Sequence, residues 1–239
     1  MKFKIVDKRP ESLNTKSFFL EPDKKFSYFA GQFIYCTLPK LNYPDSKGAT
    51  RSFTVSSSPT EGPLIRFTTK IRQESGYKKT LDTLVMGSLI EVDGPNGSFI
   101  LDENEKGPHI FIAGGIGITP FRSMLKYVLD KNLHFNLYLV YSCSTLEELS
   151  FKNELEHYAD LSSNFELTFT ISKPEESKHK WKGHIGRIDA NLINKVSSNY
   201  QNPTYWICGA GSFVDDMAMV LKNLGINKSK IKSDKFTGY

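Results

Sequence analysis

Three short stretches carry the residue types that could bind a ligand or take part in a reaction. "IAGGIGITP", Ile112 to Pro120, places Gly115, Gly117 and Pro120 in a G-x-G-x-x-P arrangement. Such a loop offers backbone N–H groups to a phosphate, although the usual pattern closes on a third glycine that lets helix and strand pack closely. Taken alone it also reads as a simple turn. "RSFTVSSSP", Arg51 to Pro59, gathers one cation, one aromatic and five hydroxyls in nine residues. Arginine can grip a phosphate and a hydroxyl such as that of Thr54 can hydrogen-bond a heteroaromatic nitrogen, but an exposed serine-rich strand has the same composition. In a strand, Arg51 and Phe53 would share one face and Ser52 and Thr54 the other. "SGYKKTLDTL", Ser75 to Leu84, sets a glycine and two lysines before a short helical pattern. It is either a second anion cradle or a surface charge cluster.

The elements that must position these residues fall into two halves. From Met1 to about Asp102, β-branched and aromatic runs such as "QFIYCTL" and "PLIRFTTKI" are broken by Gly31, Pro44, Gly48, Pro59, Gly62, Gly87, Pro95 and Gly97. Short strands with little helical period between them predict an antiparallel barrel or sandwich. After Gly107 strands and helices alternate. "HIFIAGG" reads as a strand, and "TPFRSMLKYVLDK" follows as a helix opened by Thr119 as cap with Pro120 at its first position. A further helix is expected behind a capping box of Thr145 and Glu148, another after Asp189, and a last one from Ser212 to Leu224 stopped by Gly225. Alternation of this kind predicts a parallel sheet with its ligand crevice at the strands' carboxyl ends. The boundary is expected in the charged segment "DENEKGP", giving units 1–103 and 104–239.

Composition bounds the function. With 39% hydrophobic and 24% charged residues over 239 positions, the chain has the make-up of a folded globular protein. Its net charge of +5 is mild and dispersed. That suits an acidic partner or a merely solvated basic surface, and it does not suggest nucleic acid binding. Three separated cysteines, Cys36, Cys143 and Cys208, provide neither a disulfide framework nor a metal site. "MKFKIVDKRP" lacks a signal-peptide core, and no run of about 18 apolar residues occurs. The expectation is a cytoplasmic protein without membrane spans, and the composition does not indicate an oligomeric state.

The motifs together resemble those of the ferredoxin-NADP reductase superfamily. Arg51-Ser52-Phe53-Thr54 is similar to its Arg-x-Tyr-Ser flavin motif and Gly76-Tyr77-Lys78 to its second flavin-phosphate segment. "GGIGITP" resembles its pyridine-nucleotide loop and "CGAGSFVDDM" its Cys-Gly stretch, while "GQF", "GPNGSF" and "DKFTGY" match in order. The resemblance implies a flavin-binding antiparallel barrel followed by a nucleotide-binding α/β domain, with FAD favoured over FMN and NADH or NADPH as co-substrate. It implies that Arg51 holds the flavin pyrophosphate, Phe53 packs on the ring system and Thr54 hydrogen-bonds near N5. It places Thr68, Thr69 and Lys70 on a flavin-contacting strand, and Gly114, Gly115, Gly117 and Thr119 along the dinucleotide phosphates. Cys208 and Gly209 would sit beside the nicotinamide, Asp234 close to the flavin, and Tyr239 over it. The departures are Lys78 where many members have Ser, no arginine in Ser142-Cys143-Ser144, and Ala210-Gly211 where Pro is frequent.

The implied activity is hydride transfer from NAD(P)H to FAD, with electrons passed to a separate ferredoxin, flavodoxin or oxygenase component. Two other readings are a reductase of free flavin or ferric chelates, and an electron-transfer subunit without turnover of its own.

Overall fold

The computed structural model describes residues 1–105 and 107–236. The first unit contains β1 (Lys2–Ser12), β2 (Thr15–Pro22), β3 (Phe33–Thr37), β4 (Thr50–Thr54), β5 (Ile65–Lys70), the helix α1 (Gly76–Thr83) and β6 (Leu89–Asn96). Period-2 alternation sets the inner face. In β1, Phe3 and Ile5 are buried between exposed lysines, and in β3 Ile34 and Cys36 point inward while Tyr35 faces out. The strands form one antiparallel sheet in the order β4-β3-β6-β1-β2-β5. Its two edge strands meet through a bridge between Val55 and Phe67, which curls the sheet toward a closed barrel. Phe67 lies at its centre, stacked on Phe18 and on Phe53 with centroids 5.1 and 4.4 Å away.

The second unit runs β7 (His109–Gly114), α2 (Ile118–Asp130), β8 (Leu137–Cys143), α3 (Lys152–Leu161), β9 (Phe165–Ile171), β10 (His184–Ile185), α4 (Ala190–Ser197), β11 (Thr204–Ala210), α5 (Gly211–Asn223) and β12 (Ile231–Phe236). All strand pairs are parallel, in the order β10-β9-β8-β7-β11-β12. Every residue of β7 is buried because helices cover both faces. Phe121, Leu125 and Leu155 of α2 and α3 pack with Phe111 and Trp206 on one side. Ile193 and Leu221 of α4 and α5 pack with Ile110 and Ile207 on the other. The strand order reverses between β7 and β11, so the crevice opens where those two strands end.

Asp189 caps α4 as expected, accepting from the Leu192 amide at 2.8 Å, and Gly225, at φ +77°, follows the end of α5. Two caps differ. Helix α2 starts at Ile118, and Thr119 lies inside its first turn with Oγ1 donating to the Ile116 carbonyl. Gly117 already has helical dihedrals as the chain leaves a 3-10 turn over Gly115–Gly117, so no extended residue precedes the helix to present a capping side chain. Thr145 precedes and Glu148 ends only a short 3-10 turn, Leu146–Glu148, with no side-chain cap, and α3 begins at Lys152 behind Phe151 at φ +60°. Phe151 is buried with its ring 5.1 Å from the Arg66 guanidinium, and this packing overrides the local capping signal.

The units are joined by a buried cation. Arg122 of α2, 2% exposed, pairs with Glu61 of the first unit and Glu154 of α3, and donates to the Ser56 carbonyl at 3.0 Å. Beside it Ser123 Oγ donates to the Ser57 carbonyl at 2.6 Å. Among the described residues no helix is long and apolar enough to cross a membrane.

Candidate active site at the junction of barrel and sheet

Two adjoining cavities lie where the units meet. The first, about 240 Å³, is lined by Arg51, Ser52, Phe53 and Thr54 of β4, Thr68 and Thr69 of β5, Lys78 of α1, and Thr119 and Asp234 of the second unit. Phe33 and Tyr35 of β3 also line it; Phe33 closes the "GQF" stretch, and no sequence motif marked Tyr35. The second, about 510 Å³, opens at the carboxyl ends of the parallel strands and is lined by Gly114, Gly115, Ser144, Ser172, Arg187 and Phe213 among others. Lys70 faces this second cavity while its β5 neighbours Thr68 and Thr69 face the first. Ile116, at the tip of the glycine loop, borders both.

The glycine loop sits directly on β11. A Cβ at Gly117 would lie 2.2 Å from the Cys208 carbonyl oxygen and 2.6 Å from the Gly209 Cα, so any side chain there would lift the loop from the sheet. Gly114 and Gly209 both pack against the Phe213 ring. Cys208 itself is fully buried beneath the loop and borders neither cavity. Burial, reinforced by Asp234, raises its thiol well above the ordinary range, so it stays protonated. In the native protein Cys208 is therefore expected to resist iodoacetamide at pH 8. Peptide mass spectrometry should find it modified only after denaturation, and rapid labelling of the folded chain would contradict this placement. Asp234, paired in register with Cys208, is raised by burial as well.

Of the two barrel cations lining the first cavity, Arg51 is held from behind by a carboxylate and Lys78 is not. Arg51 is 9% exposed and directs Nη2 to the Asp45 carboxylate and Nη1 to the carbonyls of Lys47, Gly48 and Thr50. The same carboxylate accepts from Ser75 Oγ at 2.9 Å and from the Tyr77 amide at 2.8 Å, both at the start of α1. Burial pushes Asp45 upward, but the amides of Tyr77 and Lys47, the Ser75 hydroxyl and Arg51 outweigh it and hold the carboxyl at about 2. Gly76 fits against the loop closely enough that a Cβ would meet the Pro44 carbonyl oxygen at 2.1 Å. The Tyr77 ring is in the barrel core with its hydroxyl on the Cys36 carbonyl, so only its backbone faces the cradle. Lys78 Nζ donates to Thr69 Oγ1 and lies 4.2 Å from the Phe53 ring centre. Burial first, then Arg51 and Arg72, bring its ammonium down to about 7.

The donor set around Asp45, a guanidinium, a hydroxyl and a backbone N–H at a helix start, is of the types that grip phosphate oxygens. Sequence reasoning passed over Asp45 because Pro44 and Gly48 on either side of it read as a turn. Tyr239, expected over the flavin, lies outside the described residues.

The comparisons with known proteins agree with this geometry. Residues 2–100 match the family model described as an oxidoreductase FAD-binding domain, and residues 111–218 match an oxidoreductase NAD-binding domain. The glycine betaine monooxygenase reductase subunit of Chromohalobacter salexigens is 27% identical over 95% of this chain and 61% of its own length. Ferredoxin-NADP reductase B of Sorangium cellulosum is 27% identical over 98% of this chain and 96% of its own. The chain spans 61%, 65% and 58% of the length of three curated relatives it matches. A crystal structure of a ferredoxin NADP+ reductase from Neisseria gonorrhoeae, with bound FAD and NADP, superposes with a TM-score of 0.80 at 19% identity, covering 98% of each chain. With an oxidoreductase FAD-binding domain over residues 2–100 followed by an oxidoreductase NAD-binding domain over residues 111–218, the chain belongs to these two oxidoreductase domain families and shares the two-domain fold of the ferredoxin NADP+ reductase structure.

Proposed function

We propose that this chain takes hydride from NADH or NADPH onto FAD in the first cavity and passes electrons singly to a separate acceptor protein, an oxygenase component or a ferredoxin. The observation that carries this reading is the shared wall at Ile116. A nicotinamide entering from the second cavity would meet a ring held in the first only there. The names of two relatives, a glycine betaine monooxygenase reductase subunit and a stachydrine N-demethylase reductase subunit, support an acceptor of this kind. The net charge of +5 suits one that is acidic.

The chemistry the flavin supplies when bound is two-electron uptake from the nicotinamide and one-electron release. The chain's own residues do the positioning. Arg51, the Gly76-Tyr77 backbone and Lys78 would hold the flavin phosphates, and Ser52, Phe53, Thr54, Thr68 and Thr69 would surround its ring and ribityl chain. Gly114, Gly115, Gly117 and Thr119 would take the nucleotide, with Lys70 on its side of the wall and Cys208 and Gly209 supporting the loop from below. Asp234 would face the ring system across the first cavity. The boundary between the two functional units falls at residues 103 and 104.

The test is anaerobic titration of the FAD-loaded protein with NADH and with NADPH, followed through the flavin's visible absorbance. Prompt bleaching by one of them is expected, and a chain that binds FAD without bleaching would be a passive module. Thr54→Ala should retain FAD but slow bleaching about 10-fold, the effect of losing roughly one oriented hydrogen bond. An unchanged single-turnover rate would remove Thr54 from the reaction.

A further inference from the structure

We propose that Asp45 is a resident phosphate mimic, a carboxylate clip that occupies the flavin-phosphate cradle and must be displaced by the diphosphate of FAD. The proposal rests on the flavin reading above and adds to it a residue that discriminates among flavins by their phosphate charge. Asp45 collects donors from three places: the Arg51 guanidinium on β4, and the Ser75 hydroxyl and Tyr77 amide at the start of α1, with the Lys47 amide closing its own turn. Its side chain is only 7% exposed. These are the donor types that grip phosphate oxygens: a planar guanidinium, a hydroxyl and a backbone N–H at a helix start. A phosphate on the same donors would lie in contact with the carboxylate, and two anions that close repel each other. The two are alternatives.

Charge indicates which alternative a diphosphate favours. With Asp45 seated, Arg51 is balanced by a carboxylate, whereas Lys78, its ammonium lowered by burial, faces none. Lys78 has no carboxylate partner among the described residues, only the Thr69 hydroxyl and the Phe53 ring. A group carrying two negative charges balances Arg51 and favours the protonated form of Lys78, whereas Asp45 balances Arg51 alone. The released segment can be accommodated. Pro44, Ser46, Lys47 and Gly48 around Asp45 are all exposed, and a Cβ at Gly48 would meet nothing within 4 Å. The base of the turn remains anchored where the amides of Asn42 and Tyr43 donate to Thr80 Oγ1. Displacement is therefore a local swing of residues 45–48, with the Pro44 backbone staying packed on Gly76. A flavin without phosphate, riboflavin, has no means of driving it.

The test uses the whole chain and three probes: FAD, riboflavin and inorganic pyrophosphate. In Asp45→Asn, which keeps a side-chain acceptor but removes the competing charge, the dissociation constant for FAD should fall at least 10-fold while that for riboflavin stays within 2-fold. Weaker or equal FAD binding, or an equal gain for riboflavin, would overturn the proposal. The native chain supplies an independent readout. Arg51 Nη1 holds the Lys47 and Gly48 carbonyls, so turning Arg51 to a diphosphate frees that peptide. Saturating FAD should speed tryptic cleavage after Lys47 at least 3-fold and riboflavin should leave it unchanged; protection by FAD would refute displacement. If the chain binds neither flavin, the flavin reading fails, and pyrophosphate still decides on the clip. Tighter pyrophosphate binding in Asp45→Asn than in the native chain supports it, and equal binding overturns it.

Discussion

Arg122→Ala is expected to destabilise the protein by about 3–5 kcal/mol, the cost typical of removing one partner from a buried ion pair. The guanidinium is almost wholly enclosed and serves two carboxylates, Glu61 and Glu154, from different units, together with the Ser56 carbonyl. Truncation leaves two carboxylates facing each other across an empty space, each about a quarter exposed, so water relieves only part of the repulsion. Urea denaturation followed by circular dichroism measures the loss. Removing the charges on both sides should recover much of it, because uncharged partners leave no unpaired anion behind. Arg122→Met combined with Glu61→Gln and Glu154→Gln should therefore be closer to the native stability than Arg122→Ala alone. If the single change costs under about 1 kcal/mol, the behaviour of an exposed pair, this junction does not hold the units together.

Gly117→Ala should weaken nicotinamide-nucleotide binding at least 100-fold, about 2.7 kcal/mol. The added methyl group would lie 2.2 Å from the Cys208 carbonyl oxygen and 2.5 Å from its carbon. Both are backbone atoms of a central strand paired with β7 and β12, so neither can rotate away. The loop must rise instead, carrying Ile116 out of the wall between the cavities and turning the backbone N–H groups from their aim. Gly211→Ala is the matched control, since a Cβ there meets nothing within 4 Å. Calorimetric titration with the oxidised nucleotides should show the loss at Gly117 and near-native affinity at Gly211. Equal affinities in the two variants would mean the loop does not form the nucleotide site.

The elements closest to local rules were legible in the sequence. The β-branched and aromatic runs that became β3 and β5, the Asp189 cap, the Gly225 stop and the change from strand punctuation to strand-helix alternation each depend on residues within a few positions of one another. So does the glycine loop, which the structure places at the turning point of the parallel sheet. Features that depend on topology were not legible. Glu61, Arg122 and Glu154 come together over separations of 61 and 32 residues, and no spacing rule predicts such a triad. Asp45 meets Tyr77 across 32 residues, and its role depends on a helix start that the sequence marks without naming what fills it. Thr119 and Thr145 show the reverse. Their capping chemistry is legible, but a helical Gly117 and the buried Phe151 decide where the helices begin.

The last strand of the sheet is a structural loan from one unit to the other. Asp234, Lys235 and Phe236 of β12, with Ile116 and Thr119, close a cavity whose remaining lining belongs to the barrel. The barrel's ligand environment is therefore inherited jointly. A chimera that joins residues 1–103 to the sheet unit of another reductase would acquire foreign side chains on one wall of the first cavity as well as a new nucleotide site. Exchanging cofactor properties between such proteins requires moving β12 and the glycine-loop tip with the barrel, across the boundary the sequence draws.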